Sequence, residues 1–235
     1  MSTPVTIVTG AGSGIGKATA LALAAKGHLL TLAGRTASKL EDTARACVAL
    51  GAPEPIVVSG DLADSGIAHE VVDRTAAAHG RVDNLVNCAG SAPRTQIEHT
   101  DEEVIEDAFL NNAFAPAFLI VRAWPHFKTQ SAGCVVNVSS LASSDPFHGF
   151  FAYAAAKAAV DSFTRSMHGE GRKHGIRAFC VNPGSIETPM LRQNFPVNVV
   201  PESMTLPPEA VAEVIVDCIE GRREADRGKT IVVKR

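Results

Sequence analysis

The chain lacks clustered basic residues: its 22 Lys and Arg are scattered along the sequence, and the formal net charge is −3. A surface of concentrated positive charge is therefore not expected, which argues against nucleic acid or an anionic membrane as a partner. A strand-like stretch begins as early as Val5, which leaves no room for a signal peptide before it. No apolar run approaches membrane-spanning length. We expect a soluble, cytoplasmic protein.

Paired and clustered cysteines are also absent. The sequence contains neither a Cys-x-x-Cys motif nor a Cys/His group at metal-ligand spacing, because its five cysteines lie far apart, at Cys47, Cys88, Cys134, Cys180 and Cys218. We therefore expect free thiols in a reducing compartment and no metal site.

Aromatic residues are scarce, at 5% of the chain, and Tyr153 is the only tyrosine. Lys157 follows it by four residues in an Ala-rich segment. Residues four apart lie on one face of a helix, so the ammonium can reach the phenol or a ligand bound beside it. This arrangement suits proton transfer. The alternative is a packed tyrosine that happens to lie near a surface lysine.

What the sequence does contain is a regular alternation of apolar, β-branched runs with longer Ala-rich helical patterns, which indicates βαβ units and a parallel sheet. With 46% hydrophobic residues, the 235 residues suffice for one α/β domain over residues 1–235. Strands are predicted at Val5–Thr9, Leu29–Ala33, Ile56–Ser59, Val82–Asn87, Gly133–Ser139, Arg177–Asn182 and Thr230–Val233. Helices are predicted at Ile15–Lys26, Ser38–Leu50, Gly66–Ala78, Asp101–Phe127, Phe151–His174 and Pro208–Glu220. Seven such strands predict a doubly wound parallel sheet with helices on both faces.

A glycine-rich turn follows the first strand, with Gly10, Gly14 and Gly16 leading into the first helix. Missing side chains let a backbone approach a pyrophosphate, and the free N–H groups of a helix N-terminus favour its charge. The turn therefore predicts a dinucleotide site. A plain tight turn is the alternative, although the strand before it and the helix after it favour the site.

The end of the second strand indicates which dinucleotide is bound. An NAD site presents Asp or Glu there, about 20 residues beyond the glycines. This chain instead has Gly34 followed by Arg35, whose guanidinium matches a 2′-phosphate in charge and geometry. We therefore predict NADP over NAD, the alternative being that Arg35 is a solvated turn residue.

Residues 184–206 form the one long segment without clear periodicity, which is typical of either a functional lid or a disordered loop. The segment and the approach to Tyr153 are rich in apolar side chains: Phe147, Phe150, Phe151, Met190, Leu191, Phe195, Val197, Val199, Val200, Met204 and Leu206. A largely apolar small-molecule substrate is the simplest inference, although core packing explains part of this set equally well.

Taken together, the glycine turn, Asn87-Cys-Ala-Gly90, Ser140 and Tyr153-x-x-x-Lys157 resemble the short-chain dehydrogenase/reductase family over nearly the whole chain. The resemblance implies a Rossmann-type fold. It also implies that Asp61-Leu62 contacts the adenine and that the segment from Asn182 to Thr188 holds the nicotinamide carboxamide and the pyrophosphate. The cofactor residues implied are Gly10, Ser13, Gly14, Ile15, Gly16, Arg35, Asp61, Leu62, Asn87, Ala89, Gly90, Tyr153, Lys157, Pro183, Gly184, Ile186 and Thr188.

The same resemblance implies a catalytic set of Ser140, Tyr153, Lys157 and Asn112. Ser140 lies thirteen residues before Tyr153, at the family's spacing, whereas alternation directs Ser139 to the other face of the strand. Asn112 is chosen over Asn111 because the family has a proline thirteen residues after its asparagine. Pro116 has no N–H, so the Asn112 carbonyl loses its helical donor and becomes free to hold a water. Alternatively, the proline only bends the helix.

These residues predict the reduction of a ketone or the oxidation of a secondary alcohol. The phenol of Tyr153 exchanges the proton, and a nearby Lys157 ammonium is expected to lower its pKa from the usual value of ~10. Ser140 donates to the developing alkoxide, and Asn112 returns the proton through water. The alternatives are an NADP sensor without turnover, or a dehydratase or epimerase on the same scaffold. The resemblance also implies a homodimer or homotetramer.

Overall fold

The computed structural model describes residues 3–235 and contains one parallel sheet of seven strands, ordered β3-β2-β1-β4-β5-β6-β7. The strands are β1 Val5–Thr9, β2 Leu29–Gly34, β3 Ile56–Ser59, β4 Asn84–Asn87, β5 Gly133–Val138, β6 Ile176–Pro183 and β7 Thr230–Val233. Strand order reverses at β1, with β2 on one side and β4 on the other. The predicted doubly wound sheet is confirmed. Small shifts affect the ends of β2, β4, β5 and β6; in particular, β4 begins at Asn84 rather than Val82.

The helices are α1 Gly14–Ala24, α2 Ala37–Ala49, α3 Ser65–His79, α4 Glu102–Phe109, α5 Ala115–Gln130, α6 Phe151–Gly171, α7 Pro189–Asn194 and α8 Pro208–Ile219. One prediction about them was wrong, because the single helix predicted over Asp101–Phe127 is interrupted by a π-helical turn at Leu110–Phe114. The segment 184–206, which has no clear periodicity in the sequence, contains the short helix α7. Thr188 caps α7 by accepting from the Leu191 N–H at 3.2 Å.

The side chains of adjacent residues in each central strand point to opposite faces of the sheet, so the hydrophobic core has two parts, one on each face. Val8, Val86, Val136 and Phe179 pair across four strands and pack with α1, α2 and α8. Their immediate predecessors, Ile7, Leu85, Val135 and Ala178, pack with α3, α5 and α6. Because both faces are covered, the strands read as continuous apolar runs rather than alternating ones.

The helical stretch Glu102–Gln130 is 29 residues long and apolar enough, by length and composition alone, to cross a membrane. The expectation that no apolar run approaches membrane-spanning length was therefore wrong. In the structure its inner face is part of the core, where Leu119 and Phe127 are buried beside α3. Its outer face carries Arg122, which forms two hydrogen bonds of 2.7 Å with Asp73 on α3. We therefore interpret Glu102–Gln130 as part of the helical layer that packs on one face of the sheet.

The carboxyl ends of the strands all lie along one edge of the sheet, where the loops after β1, β4, β5 and β6 meet. This is the edge at which open α/β sheets bind their ligands, next to the point where strand order reverses. Most of the candidate residues lie on the loops that follow the strands and on α6, whereas Asn112 lies in the π-helical turn. All five cysteines carry free thiols, as predicted.

Candidate active site

The glycine turn after β1 is closely packed. Gly10 has φ +64°, and a Cβ added to it would lie 2.9 Å from the Ala89 nitrogen. A Cβ on Gly16 would lie 2.3 Å from the Gly10 carbonyl oxygen. Within residues 3–235, the Ser13 side chain forms no capping hydrogen bond with α1, and the first turn of this helix contains no acidic residue. The first N–H groups of this helix are therefore available to an anion.

A cavity of about 480 Å³ extends from this turn past the end of β2. It is lined by Gly10, Gly12, Ser13, Gly34, Arg35, Thr36, Lys39, Leu40, Asp61 and Leu62, among others. Arg35 and Lys39 are exposed, and neither forms an ion pair within residues 3–235. Two uncompensated cations at this position favour an anionic group.

A second cavity, of about 360 Å³, adjoins the first and shares Gly10, Ser13, Ala89 and Gly90 with it. It brings together most of the remaining predicted site residues: Gly14, Ile15, Gly16, Ser140, Tyr153, Lys157, Pro183, Gly184, Ile186 and Thr188. The two cavities together form one continuous cleft at the edge of the sheet.

Ser140 follows the end of β5 and caps a short 3₁₀ turn, Leu141–Ser143, by accepting from the Ala142 N–H at 3.1 Å. Because this oxygen accepts from the backbone, its own O–H remains a donor toward the cavity. Ser139 is buried instead, and its hydroxyl donates to the Lys157 carbonyl at 3.1 Å. The two hydroxyls therefore have different partners, although both serines border the second cavity, and the choice of Ser140 stays a prediction.

Tyr153 lies in the first turn of α6, with its ring 5.5 Å from that of Phe150 in an edge-on arrangement. Burial raises the pKa of the phenol, and the interaction with the Ser140 hydroxyl acts in the opposite direction. This is the reverse of the direction expected from Lys157. The physical reason is that the phenol loses water around it, which disfavours phenolate.

Lys157 is buried, and its Nζ donates to the Val138 carbonyl at 3.0 Å. The Nζ lies 5.8 Å from the centroid of the Tyr153 ring. Burial lowers the pKa of this ammonium to about 8. Lys157 is thus a cation held beside the phenol in a desolvated position, where a proton can be released near neutral pH.

Asn112 lies in the π-helical turn, which frequently marks functional sites in helices. Its Nδ2 donates to the Ala108 carbonyl at 2.8 Å, while its buried Oδ1 has no hydrogen-bond partner among residues 3–235. A Cβ on Gly90 would lie 2.5 Å from that oxygen and 3.5 Å from the Lys157 Nζ, so Asn112 and Lys157 both border Gly90. Asn111 faces Asp107 instead. The role of the Asn112 main-chain carbonyl stays a prediction.

Asn87 is the one predicted cofactor residue that borders neither cavity. It is buried, and its Nδ2 donates to Asn137 Oδ1 at 2.8 Å, so it joins β4 to β5. The sequence analysis gave no role to Thr9, whose Oγ1 accepts from the N–H groups of Cys88 and Ala89 at 3.1 and 3.0 Å. Thr9 thereby positions the loop that borders the cleft. The position of Thr9 at the end of β1 could have indicated that it lies near the site. Its hydrogen-bond partners, however, lie about 80 residues away in the chain, so the sequence does not reveal them.

The open end of the second cavity has mainly apolar walls. Phe147, Phe150, Leu191, Phe195 and Val200 line it. The Phe150 and Phe195 rings lie 6.0 Å apart. On its outer side, Phe195 is covered by the Arg94 guanidinium at 5.0 Å. A hydrogen bond of 3.0 Å from Asn194 Nδ2 to the Ala92 carbonyl ties α7 to the loop after β4.

The residues of the cleft fit a nicotinamide dinucleotide. A close-packed glycine cradle at an uncapped helix N-terminus suits the pyrophosphate. The cationic cavity beside β2 suits the adenosine half, and the Tyr153 cavity suits the nicotinamide half.

Comparisons with known proteins agree with this geometry. Residues 4–198 match the short chain dehydrogenase family. The chain is 34% identical over 197 residues to glucose and ribitol dehydrogenase homolog 2 of Arabidopsis thaliana, covering 81% of this chain and 68% of that protein. It is 37% identical over 189 residues to 2-(R)-hydroxypropyl-CoM dehydrogenase of Xanthobacter autotrophicus, covering 79% and 76%.

Solved structures give the same result. L-sorbose reductase from Gluconobacter frateurii, complexed with NADPH and L-sorbose, superposes with a TM-score of 0.90 at 26% identity and covers 100% of this chain and 96% of its own. Levodione reductase shares the fold, with a TM-score of 0.91 at 24% identity and coverage of 98% and 96%. The match over residues 4–198, together with these relatives, places the chain in the short-chain dehydrogenase/reductase family of NAD(P)-dependent oxidoreductases.

Proposed function

We propose that this protein is an NADP-dependent oxidoreductase that interconverts a ketone and a secondary alcohol. The observation that carries the proposal is the convergence of Ser140, Tyr153 and Lys157 on one cavity next to the glycine turn. When bound, the cofactor supplies or accepts the hydride. Every proton transfer then depends on side chains of this chain.

In the reductive direction, Tyr153 gives its phenolic proton to the carbonyl oxygen as the alkoxide forms. The Ser140 hydroxyl donates to the same oxygen and stabilises its growing negative charge. Lys157 stabilises the resulting phenolate, and Asn112 connects the lysine to solvent, so that the phenol regains its proton. The raised pKa of Tyr153 keeps the phenol protonated and ready to act as an acid at neutral pH.

The preference for NADP is supported by the cavity beside β2. Gly34 occupies the place of the acid that an NAD site requires, and Arg35 and Lys39 face the cavity instead. Arg35→Ala is expected to raise the KM for NADPH by about tenfold or more while leaving that for NADH nearly unchanged. Equal or better efficiency of the wild-type protein with NADH would contradict the preference.

The substrate is proposed to be small and mainly apolar, because the open end of the cavity is walled by aromatic and aliphatic side chains. The deciding experiment follows NADPH and NADH absorbance against ketones, and the oxidised cofactors against secondary alcohols. We expect turnover of apolar ketones, and a loss of roughly 10²–10⁴ in kcat for Tyr153→Phe with cofactor binding retained. Cofactor binding without turnover of any compound would instead favour a sensor.

We also propose that the protein is a cytoplasmic homodimer or homotetramer. The outer face of α4 and α5 exposes Ile105, Phe114 and Val121, and the rings of Phe109, Phe114 and Phe118 follow one another at 6.3 and 6.4 Å. An exposed apolar stripe of this kind on a helix is typical of a surface covered by another subunit.

A further inference from the structure

The Asp161 carboxylate faces inward from α6, one helical turn beyond Lys157. Its Oδ2 accepts from the Ser143 hydroxyl at 2.7 Å, and Asn182 Nδ2 lies 3.3 Å from the same oxygen. Its Oδ1 accepts from the Cys180 thiol at 3.1 Å. Within residues 3–235 it has no ion pair, and its charge is compensated by these hydrogen-bond donors together with the more distant Lys157 ammonium.

This cluster extends directly to Ser140. Asn182 is fully buried, and its Nδ2 donates to the Ser140 carbonyl at 3.0 Å and to Ser143 Oγ at 2.8 Å. These two acceptors lie at the beginning and the end of the 3₁₀ turn that Ser140 caps. The turn is therefore anchored at both ends by one amide, and Ser143, which this amide contacts, donates in turn to the Asp161 carboxylate.

The carboxylate determines the direction of these hydrogen bonds because, when ionised, it can only accept. The Ser143 hydroxyl must donate to Asp161, so its lone pairs remain to accept from Asn182. The second N–H of Asn182 is then directed at the Ser140 carbonyl. An amide in place of the carboxylate would bring a donor of its own and allow several competing arrangements.

We propose that Asp161 is a positioning residue that holds the Ser140 turn in its productive geometry through Ser143 and Asn182. The inference rests on the proposed function, since it requires Ser140 to contact the reacting oxygen. It concerns geometry alone: the carboxylate neither touches the substrate nor exchanges a proton in the reaction.

The test compares Asp161→Asn with the wild-type protein on the ketone that turns over fastest. We expect kcat to fall about tenfold, while the Kd for NADPH changes less than about twofold, because only the turn that carries Ser140 loosens. Ser143→Ala keeps the charge and removes the bridging hydroxyl, so kcat should also fall, and this variant carries the test if Asp161→Asn does not fold. Glu170→Gln, on an exposed position of the same helix, is the matched control and should leave kcat unchanged.

A double-mutant cycle then separates positioning from a general structural effect. In a Ser140→Ala background, Asp161→Asn should cause no further loss of kcat, because the hydroxyl that it positions is already absent. A full tenfold loss in that background, or single-variant kcat values within twofold of wild type, would overturn the inference. If Ser140→Ala itself leaves turnover intact, the proposed function fails instead.

Discussion

At the scale of single residues, the site depends on contacts that leave no space for another atom. Gly90 borders both Asn112 and Lys157, and a Cβ there would lie 2.5 Å from the unpartnered Asn112 Oδ1. We expect Gly90→Ala to displace Asn112 and reduce kcat about tenfold or more, since small misplacements of catalytic groups are costly. Gly169→Ala, whose added Cβ meets no atom within 4 Å, is the control and should retain full turnover.

The buried ammonium of Lys157 predicts a pH dependence. Its pKa is lowered from 10.5 to about 8, so the group is charged below about pH 8 and neutral above it. Because the charged form stabilises phenolate and holds the cofactor in our proposal, kcat/KM for NADPH should fall as pH rises through about 8. This ratio reports ionisations of the free enzyme. A profile that stays flat between about pH 7 and pH 10 would contradict the assignment.

Most of the candidate site residues could be identified from the sequence, because the spacing and the side-chain chemistry of the family's motifs can be read from short stretches of the chain. The positions of Ser140, Tyr153 and Lys157 on one cavity agree with the sequence analysis. Asp161 was not identified from the sequence, because its proposed role depends on Asn182, which is 21 positions away in the chain. The pKa direction of Tyr153 was wrong for a related reason: desolvation depends on packing from several distant segments.

At the scale of elements, Arg192 ties together the segment 184–206. Its guanidinium pairs with Glu187 through two hydrogen bonds, and its Nη1 donates to the Val200 and Phe195 carbonyls at 2.6 and 3.3 Å. Arg192→Met should loosen the segment, raising the KM for the ketone about fivefold or more with little change in kcat. Hydrogen exchange should become faster across residues 189–204.

A matched control exists on the outer surface of α5. Arg122 makes the same two-pronged contact with Asp73, but both side chains are exposed and lie away from the cleft. Arg122→Met should therefore change neither the KM for the ketone nor hydrogen exchange in residues 189–204, since exposed ion pairs contribute little. If Arg192→Met and Arg122→Met change KM and hydrogen exchange equally, the segment 184–206 does not depend on Arg192.

Strands were predicted more accurately than helices, and the reason is physical. Each buried strand is a short apolar run bounded by turn residues, so its ends are visible in the sequence. The π-helical turn at Leu110–Phe114 contains no glycine or proline, so no residue within it marks the interruption, and Pro116 just beyond it was the only local signal used. Helix α7 has only six residues and depends on its Thr188 cap and on packing against the loop after β4.

At the scale of the whole molecule, the exposed stripe on α4 and α5 predicts self-association. Val121 is 69% exposed and lies two helical turns beyond Phe114, on the same face. We expect the protein to sediment as a dimer or tetramer and Val121→Glu to shift it toward monomer. Val48→Glu, at a 47% exposed position on α2, should leave the assembly unchanged. A wild-type protein that remains monomeric at high concentration would refute the proposal.

Having a single tyrosine gives the protein an optical property as well as a chemical one. The ultraviolet band of tyrosinate in the folded protein reports the ionisation of Tyr153 alone. Since burial raises the pKa of this phenol, the band should appear at higher pH in the folded protein than in the urea-unfolded chain, which should titrate near ~10. Ser140→Ala should move it higher still, because the interaction that lowers the pKa is lost. A folded protein that titrates at or below the unfolded chain would contradict this. The ionisation of the proposed proton donor can therefore be followed spectroscopically in the absence of a substrate.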